Sequence, residues 1–139
     1  MKQLDNLVQI SKLKAEAPSK TEFEGLVRSG RARLKDAQNS QLSVYSRFDL
    51  AYNAAHALAL AALRWHGYRS ENRYLVFQCL EHTAGLPREK WRVLDQAHTR
   101  RNVAEYSGDT EVDNELLAAL LRVASELEQR VCALKPIHS

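Results

Sequence analysis

The chain reads as an all-α, up-and-down helical bundle of four to six helices, and three observations lead there. Alanine and leucine dominate while glycine (5) and proline (3) are scarce, a composition that favours helix over strand. Apolar residues recur three and four positions apart along most of the chain, the helical period. Short turns separate these stretches, with no internal repeat, low-complexity tract or linker between them. At 139 residues, 45% apolar and 27% charged, the chain fits one domain with its own core. Residues 1–40 read as a helical extension and 43–134 as the core bundle.

The elements follow in order. From about Asp5 to Ala17, Leu7, Ile10, Leu13 and Lys14 keep helical spacing, and Pro18-Ser19 ends the segment. Thr21 followed by Glu24 has the form of a capping box, which opens a helix through Phe23, Leu26, Val27 and Leu34 to about Gln38. Gly25 and Gly30 each weaken it by roughly 1 kcal/mol relative to alanine. Its polar side carries Arg28, Arg31, Arg33 and Lys35, a solvated basic face. After the Asn39-Ser40 turn, a long helix runs from about Leu42 to His66 and closes at Gly67, the left-handed cap position. Phe48, Ala51, Ala55, Leu58, Ala62 and Trp65 form one seam of it, and Leu50, Ala54, Ala57 and Ala61 another. An element apolar nearly all round packs on several sides. Ser70 and Glu71 start the next helix, which Gly85 stops. Pro87 suits the first turn of a further one, running to Ser107-Gly108-Asp109. The last spans about Val112 to Leu134, with Leu116, Leu120, Val123, Leu127 and Val131 on its apolar stripe and Pro136 beyond it.

A net charge of +3 and a pI near 9.0 permit a nucleic-acid partner without requiring one. Arginine outnumbers lysine, which suits phosphate or carboxylate recognition. Cys79 and Cys132 lie in apolar helical patterns without CxxC or Cys/His spacing, so both are expected as reduced, structural thiols. The first residues lack the apolar run of a secretory leader. No stretch reaches the roughly 18 apolar residues of a membrane span; the richest, Leu50 to Trp65, is broken by Asn53, His56 and Arg64. A cytoplasmic protein without a membrane partner is the expectation.

Two constellations carry chemistry. In the first, Leu94, Ala97, Arg101, Ala104 and Gly108 share one helical stripe, which places a guanidinium among small side chains. Such a charge must be paired or kept in a wet cleft. His98, Arg101, Asn102 and Glu105 stand at i, i+3, i+4 and i+7. They read either as an ion pair of Arg101 with Glu105 beside a surface histidine, or as a set that holds a phosphodiester and moves its proton. In the second, Asp49, Tyr52, Asn53 and His56 repeat that spacing on the long helix. Asp49 is a partner for Arg100 or Arg101, and Asn53 for Asn102 or Tyr106. The two stripes make either one satisfied polar network or one cleft with His56 as a second base. His56, His66, His82, His98 and His138 show no metal-ligand spacing, and no Walker, GxGxxG or GxSxG segment occurs. Neither metal nor cofactor is expected.

Arg47-Phe48-Asp49-Leu50-Ala51-Tyr52-Asn53-Ala54-Ala55-His56 on an alanine-rich helix, then Gly67-Tyr68-Arg69, then Leu94-Asp95 and Arg100-Arg101-Asn102-Val103-Ala104-Glu105-Tyr106 before an acidic last helix, resembles the prokaryotic HEPN superfamily over about residues 43–131. The resemblance implies a helical domain that forms homodimers and binds RNA. It also implies metal-independent ribonuclease activity in a toxin–antitoxin or defence-type module, with a cognate antitoxin or a nucleotidyltransferase as partner. Arg101 and Asn102 match the start of the family's Arg-x(4–6)-His motif, while Tyr106 stands where the histidine falls. A phenol with a pKa near 10 is a weak base at neutral pH. Cleavage then needs His98 or His56 as substitute, or Tyr106 as a donor to phosphate. The alternative is a catalytically inactive dimeric module that pairs with a nucleotidyltransferase or regulates a neighbouring protein.

Overall fold

The computed structural model describes residues 1–137, and within them the chain is an all-α bundle. Its order is α1 (Lys2–Gln9), β1 (Lys14–Ala15), α2 (Lys20–Ala37), α3 (Val44–Trp65), β2 (Tyr68–Arg69), α4 (Arg73–Gln78), α5 (Leu80–Thr83), α6 (Arg88–Ser107) and α7 (Asn114–Cys132). The central α3 packs lengthwise on α2 and against α7, with α4 to α6 closing the remaining side. Its buried residues cover most of its circumference, among them Phe48, Tyr52, Ala55, Leu58, Ala62 and Leu63. Leu4, Leu13, Leu34 and Ala37 belong to the same core, so the first 40 residues are integral to the bundle.

Caps and stops explain the boundaries. The cap of α2 is Ser19, whose side chain accepts from the Glu22 amide at 3.2 Å, two residues before the expected Thr21. A Ser-x-x-Glu box stands there, but its glutamate is drawn to Arg64 and Arg69. Gly67 and Gly108 hold positive φ at the ends of α3 and α6, as their lack of a Cβ allows. Asn72, rather than Ser70, caps α4. The helix expected to run on to Gly85 is interrupted at Cys79 and resumes as the single turn α5.

The first helix departs most from its expected span. It stops at Gln9, and Lys14–Ala15 instead pairs antiparallel with Tyr68–Arg69. This clasp ties the α1–α2 connection to the end of α3, and the Arg64 side chain lies beneath it. Arg64 is 1% exposed. It donates to the backbone carbonyls of Glu16 (2.9 Å), Ala17 (2.7 Å) and Tyr68 (3.3 Å). It also pairs with Glu22, and with Glu16 at 3.3 Å. Arg69 binds the same two carboxylates, and hydrogen bonds from the guanidiniums hold both below the usual carboxylate range. The fully enclosed guanidinium of this fold is therefore Arg64, on α3, and not Arg101.

Candidate functional site

The two polar stripes read from the sequence meet across the α3–α6 contact. Tyr52 on α3 is fully buried, and its hydroxyl lies 2.8 Å from His98 Nδ1 on α6. The two rings stack with centroids 6.1 Å apart. One turn further along α6, the Arg101 guanidinium lies 5.3 Å from the Tyr52 ring centroid. A second guanidinium, Arg73 from the first turn of α4, approaches the same ring at 5.4 Å. A tyrosine face attracts cations, so one buried ring holds two arginines together.

Few anions balance this pair. Arg101 meets Asp49 at 3.4 Å and Glu105 at 3.5 Å, both long for charge-assisted contacts, which normally close to about 2.8 Å. The Arg101 side chain keeps 26% of its surface exposed. Arg73 donates at 3.1 Å to Asn53 Oδ1, a neutral acceptor, and has no carboxylate partner among the described residues. Asn53 in turn donates to the Asp49 carbonyl. Asn102 lies 3.4 Å from the other ring nitrogen of His98. The patch thus carries two loosely held guanidiniums, the carboxylates of Asp49 and Glu105 and two amides, all at least partly open to solvent.

The histidines here favour their neutral forms. Burial pushes His98 below its ordinary pKa, and Arg73 and Arg101 push it further. Burial lowers His56 to about 4, with Arg73, His98 and Arg101 adding to the effect. His56 stands edge-on to Phe77 at 6.0 Å, and its buried Nε2 has no protein partner. At neutral pH both rings are uncharged; His56 is the weaker base, and His98 stands one turn from Arg101 on α6. Around Tyr52 the structure thus gathers two guanidinium forks, Arg73 and Arg101, the Asn102 amide and the neutral His98 imidazole.

Of the remaining residues named from the sequence, Glu105 is exposed and reaches only Arg101. Arg100 points away: it donates to the carbonyls of Asp109 and Glu111 at 2.7 Å and pairs with Asp109 at 3.0 Å. It pins the α6–α7 connection and does not reach the cluster. Asn53 bonds Arg73 instead of Asn102 or Tyr106. Tyr106 is 88% exposed and contacts none of the cluster's polar groups. Arg73 is the member that reading along the chain missed. Its only local signal is a cation just after the Asn72 cap, and proximity to Tyr52 is a long-range fact.

Among the described residues no three His, Cys, Asp or Glu side chains converge as a metal site would require; His138 lies outside those residues. No helix described is long and apolar enough to cross a membrane. The chain matches no family model and none of the curated proteins it was compared with.

Proposed function

We propose that this chain is a HEPN-like domain of a toxin–antitoxin or defence-type module that binds RNA at the Arg73–Arg101 cluster and cleaves it without a metal. The observation that carries the reading is the pair of guanidiniums on Tyr52, only loosely engaged by carboxylates. Phosphate oxygens accept from such forks more tightly than Asp49 does at its present distance. In this reading His98, neutral at physiological pH, exchanges its long Asn102 contact of 3.4 Å for a 2′-hydroxyl. It takes the hydroxyl's proton as that oxygen attacks phosphorus, while Arg73 and Arg101 take up charge on the phosphorane. The 5′-oxygen leaves with a proton from the imidazolium or water, giving a 2′,3′-cyclic phosphate. Tyr106, the motif's histidine position, has no part in this chemistry.

The test uses total RNA in EDTA with the wild type and the Arg101→Ala and Arg73→Ala variants. Cleavage by the wild type that both substitutions abolish is the expected result. Equal cleavage by all three, or none by the wild type at any salt concentration, removes the nuclease reading.

A second reading, a catalytically inactive interaction module, draws on a different observation. Tyr106 (88% exposed) and Val103 (41% exposed) present apolar surface at the end of α6, and exposed aromatic side chains serve well as interface anchors. If that end mediates homodimerisation, Tyr106→Ser yields monomers in sedimentation while the melting temperature stays near that of wild type. RNA bound as tightly by Arg101→Ala as by the wild type would favour this reading.

A further inference from the structure

A well-formed groove lies away from the polar cluster and shares no residue with it. It measures about 820 Å³ and runs between α2 and α7. Phe23, Val27 and Leu34 of α2 face Val131, Leu134 and Ile137 across it. The far wall is the segment after α7, which Trp65 Nε1 fixes by donating to the Lys135 carbonyl at 2.8 Å. The groove is therefore formed before any occupant arrives.

Its charge is arranged along its length. Lys20, Arg28, Arg31 and Lys35 line it against Glu24 and Glu128, and Glu128 is already within 3.8 Å of Arg31. Lys20, Arg28 and Lys35 have no carboxylate partner among the described residues. From Lys20 to Lys35 the row spans about 22 Å at the helical rise of 1.5 Å per residue. A single-headed anion would engage one end of such a row. Glu24 interrupts the row between Lys20 and Arg28, so a ligand with negative charge on successive turns beside an apolar stripe engages its Arg28–Lys35 half, and Lys20 beyond the gap.

We infer that the α2–α7 groove receives an amphipathic helix from a partner protein, its apolar stripe on Phe23, Val27 and Leu34 and its acidic flank along Lys20, Arg28, Arg31 and Lys35. Helix-in-groove recognition seats a partner's apolar anchors at i, i+3, i+4 and i+7, and Phe23 and Val27, one turn apart, with Leu34 two turns further, give such a row an apolar floor. The rim charges select the partner's sign and speed its arrival, while the apolar floor supplies the affinity. This site is independent of the Arg73–Arg101 cluster and stands whether or not that cluster binds RNA.

The test displays a library of 18-residue amphipathic helices, with leucine at the stripe positions and Glu, Gln or Lys at the flanks, and selects it on the full chain. Acidic flanks should be enriched, and synthetic copies of the winners should shift amide resonances of residues 20–37 and 128–137. Ala32→Tyr fills the groove from an exposed position and should weaken their binding at least about tenfold, or 1.4 kcal/mol. The triple variant R28E/R31E/K35E should reverse the flank preference toward lysine. Several outcomes overturn the proposal: no enrichment of any flank, equal binding to Ala32→Tyr, or shifts centred elsewhere. So does dodecanoate occupying the groove when no selected helix does, or sedimentation showing a second copy of this chain seated there.

Discussion

Two arginines, alike in chemistry, have opposite fates here. Arg64 is enclosed, with three carbonyls and two carboxylates around it. Arg101 has two long contacts and open water. Removing the first leaves carbonyls and a carboxylate pair without their donor, so Arg64→Ala should lower unfolding free energy by about 3 kcal/mol, measured as a lower urea midpoint at unchanged slope. Removing the second takes away only two long, part-exposed ion-pair contacts, so Arg101→Ala should leave the melting temperature unchanged or raised; a fall of ten degrees would place Arg101 in the framework. Reading along the chain found a guanidinium in an apolar stripe but named Arg101. The comparable sign for Arg64, an arginine inside the long apolar run, was visible too. What decides between them is the partners at positions 16, 17 and 22, more than 40 residues away, and spacing cannot supply that. The histidines add a pH dependence. Because His56 titrates near 4 when folded against about 6.5 when unfolded, acid protonates the unfolded chain first. Stability from this residue is full above pH 6.5 and falls as pH drops toward 4, by at most about 3 kcal/mol. Asp95, which burial raises to about 6, acts in the opposite direction below pH 6. Comparing urea midpoints of wild type and His56→Gln across pH 7 to 4.5 isolates the first effect: the loss should be smaller in the variant.

Among the elements, α2 and α3 form the closest contact, and glycine makes it so. A Cβ on Gly30 would fall 2.7 Å from Leu58 Cγ and 3.2 Å from the Ala54 carbonyl, so the helices meet backbone to side chain at that point. Gly30→Ala should therefore destabilise by about 1–3 kcal/mol despite alanine's better helix propensity. Gly25 on the same helix meets only the end of Arg28 at 3.9 Å, and Gly25→Ala should stabilise by about 0.5–1 kcal/mol. Thermal melts of the two variants should move in opposite directions; movement in the same direction contradicts this account of the packing. From the sequence both glycines read alike, as weaknesses, because helical propensity ignores what lies across the interface. Helix ends were more legible: Gly67, Gly108 and Pro87 act through their own φ angles, a local property. The β1–β2 clasp was not legible. Two residues joined to two others 54 positions on leave no period to detect, and Lys14 fitted the helical spacing that preceded it.

For the molecule as a whole, the all-α bundle follows from periodicity and composition, while the distribution of charge over it does not. Arg28, Arg31, Arg33 and Lys35 read as a solvated face, yet all but Arg33 edge the α2–α7 groove, together with Lys20. Arg73 and Arg101 come from different helices and become a pair only through Tyr52. A mild net charge of +3 thus resolves into two separate cationic surfaces that share no residue. One of them, the Arg73–Arg101 pair, is the proposed phosphate site. Binding of single-stranded RNA measured against salt concentration tests it directly. Each phosphate contact contributes about 0.7 to the slope of log K on log salt, so Arg101→Ala and Arg73→Ala should each reduce that slope by about 0.7 and weaken binding. R28E/R31E/K35E should leave the local contribution of the pair intact. Slopes and affinities for Arg101→Ala and Arg73→Ala that match wild type contradict the claim.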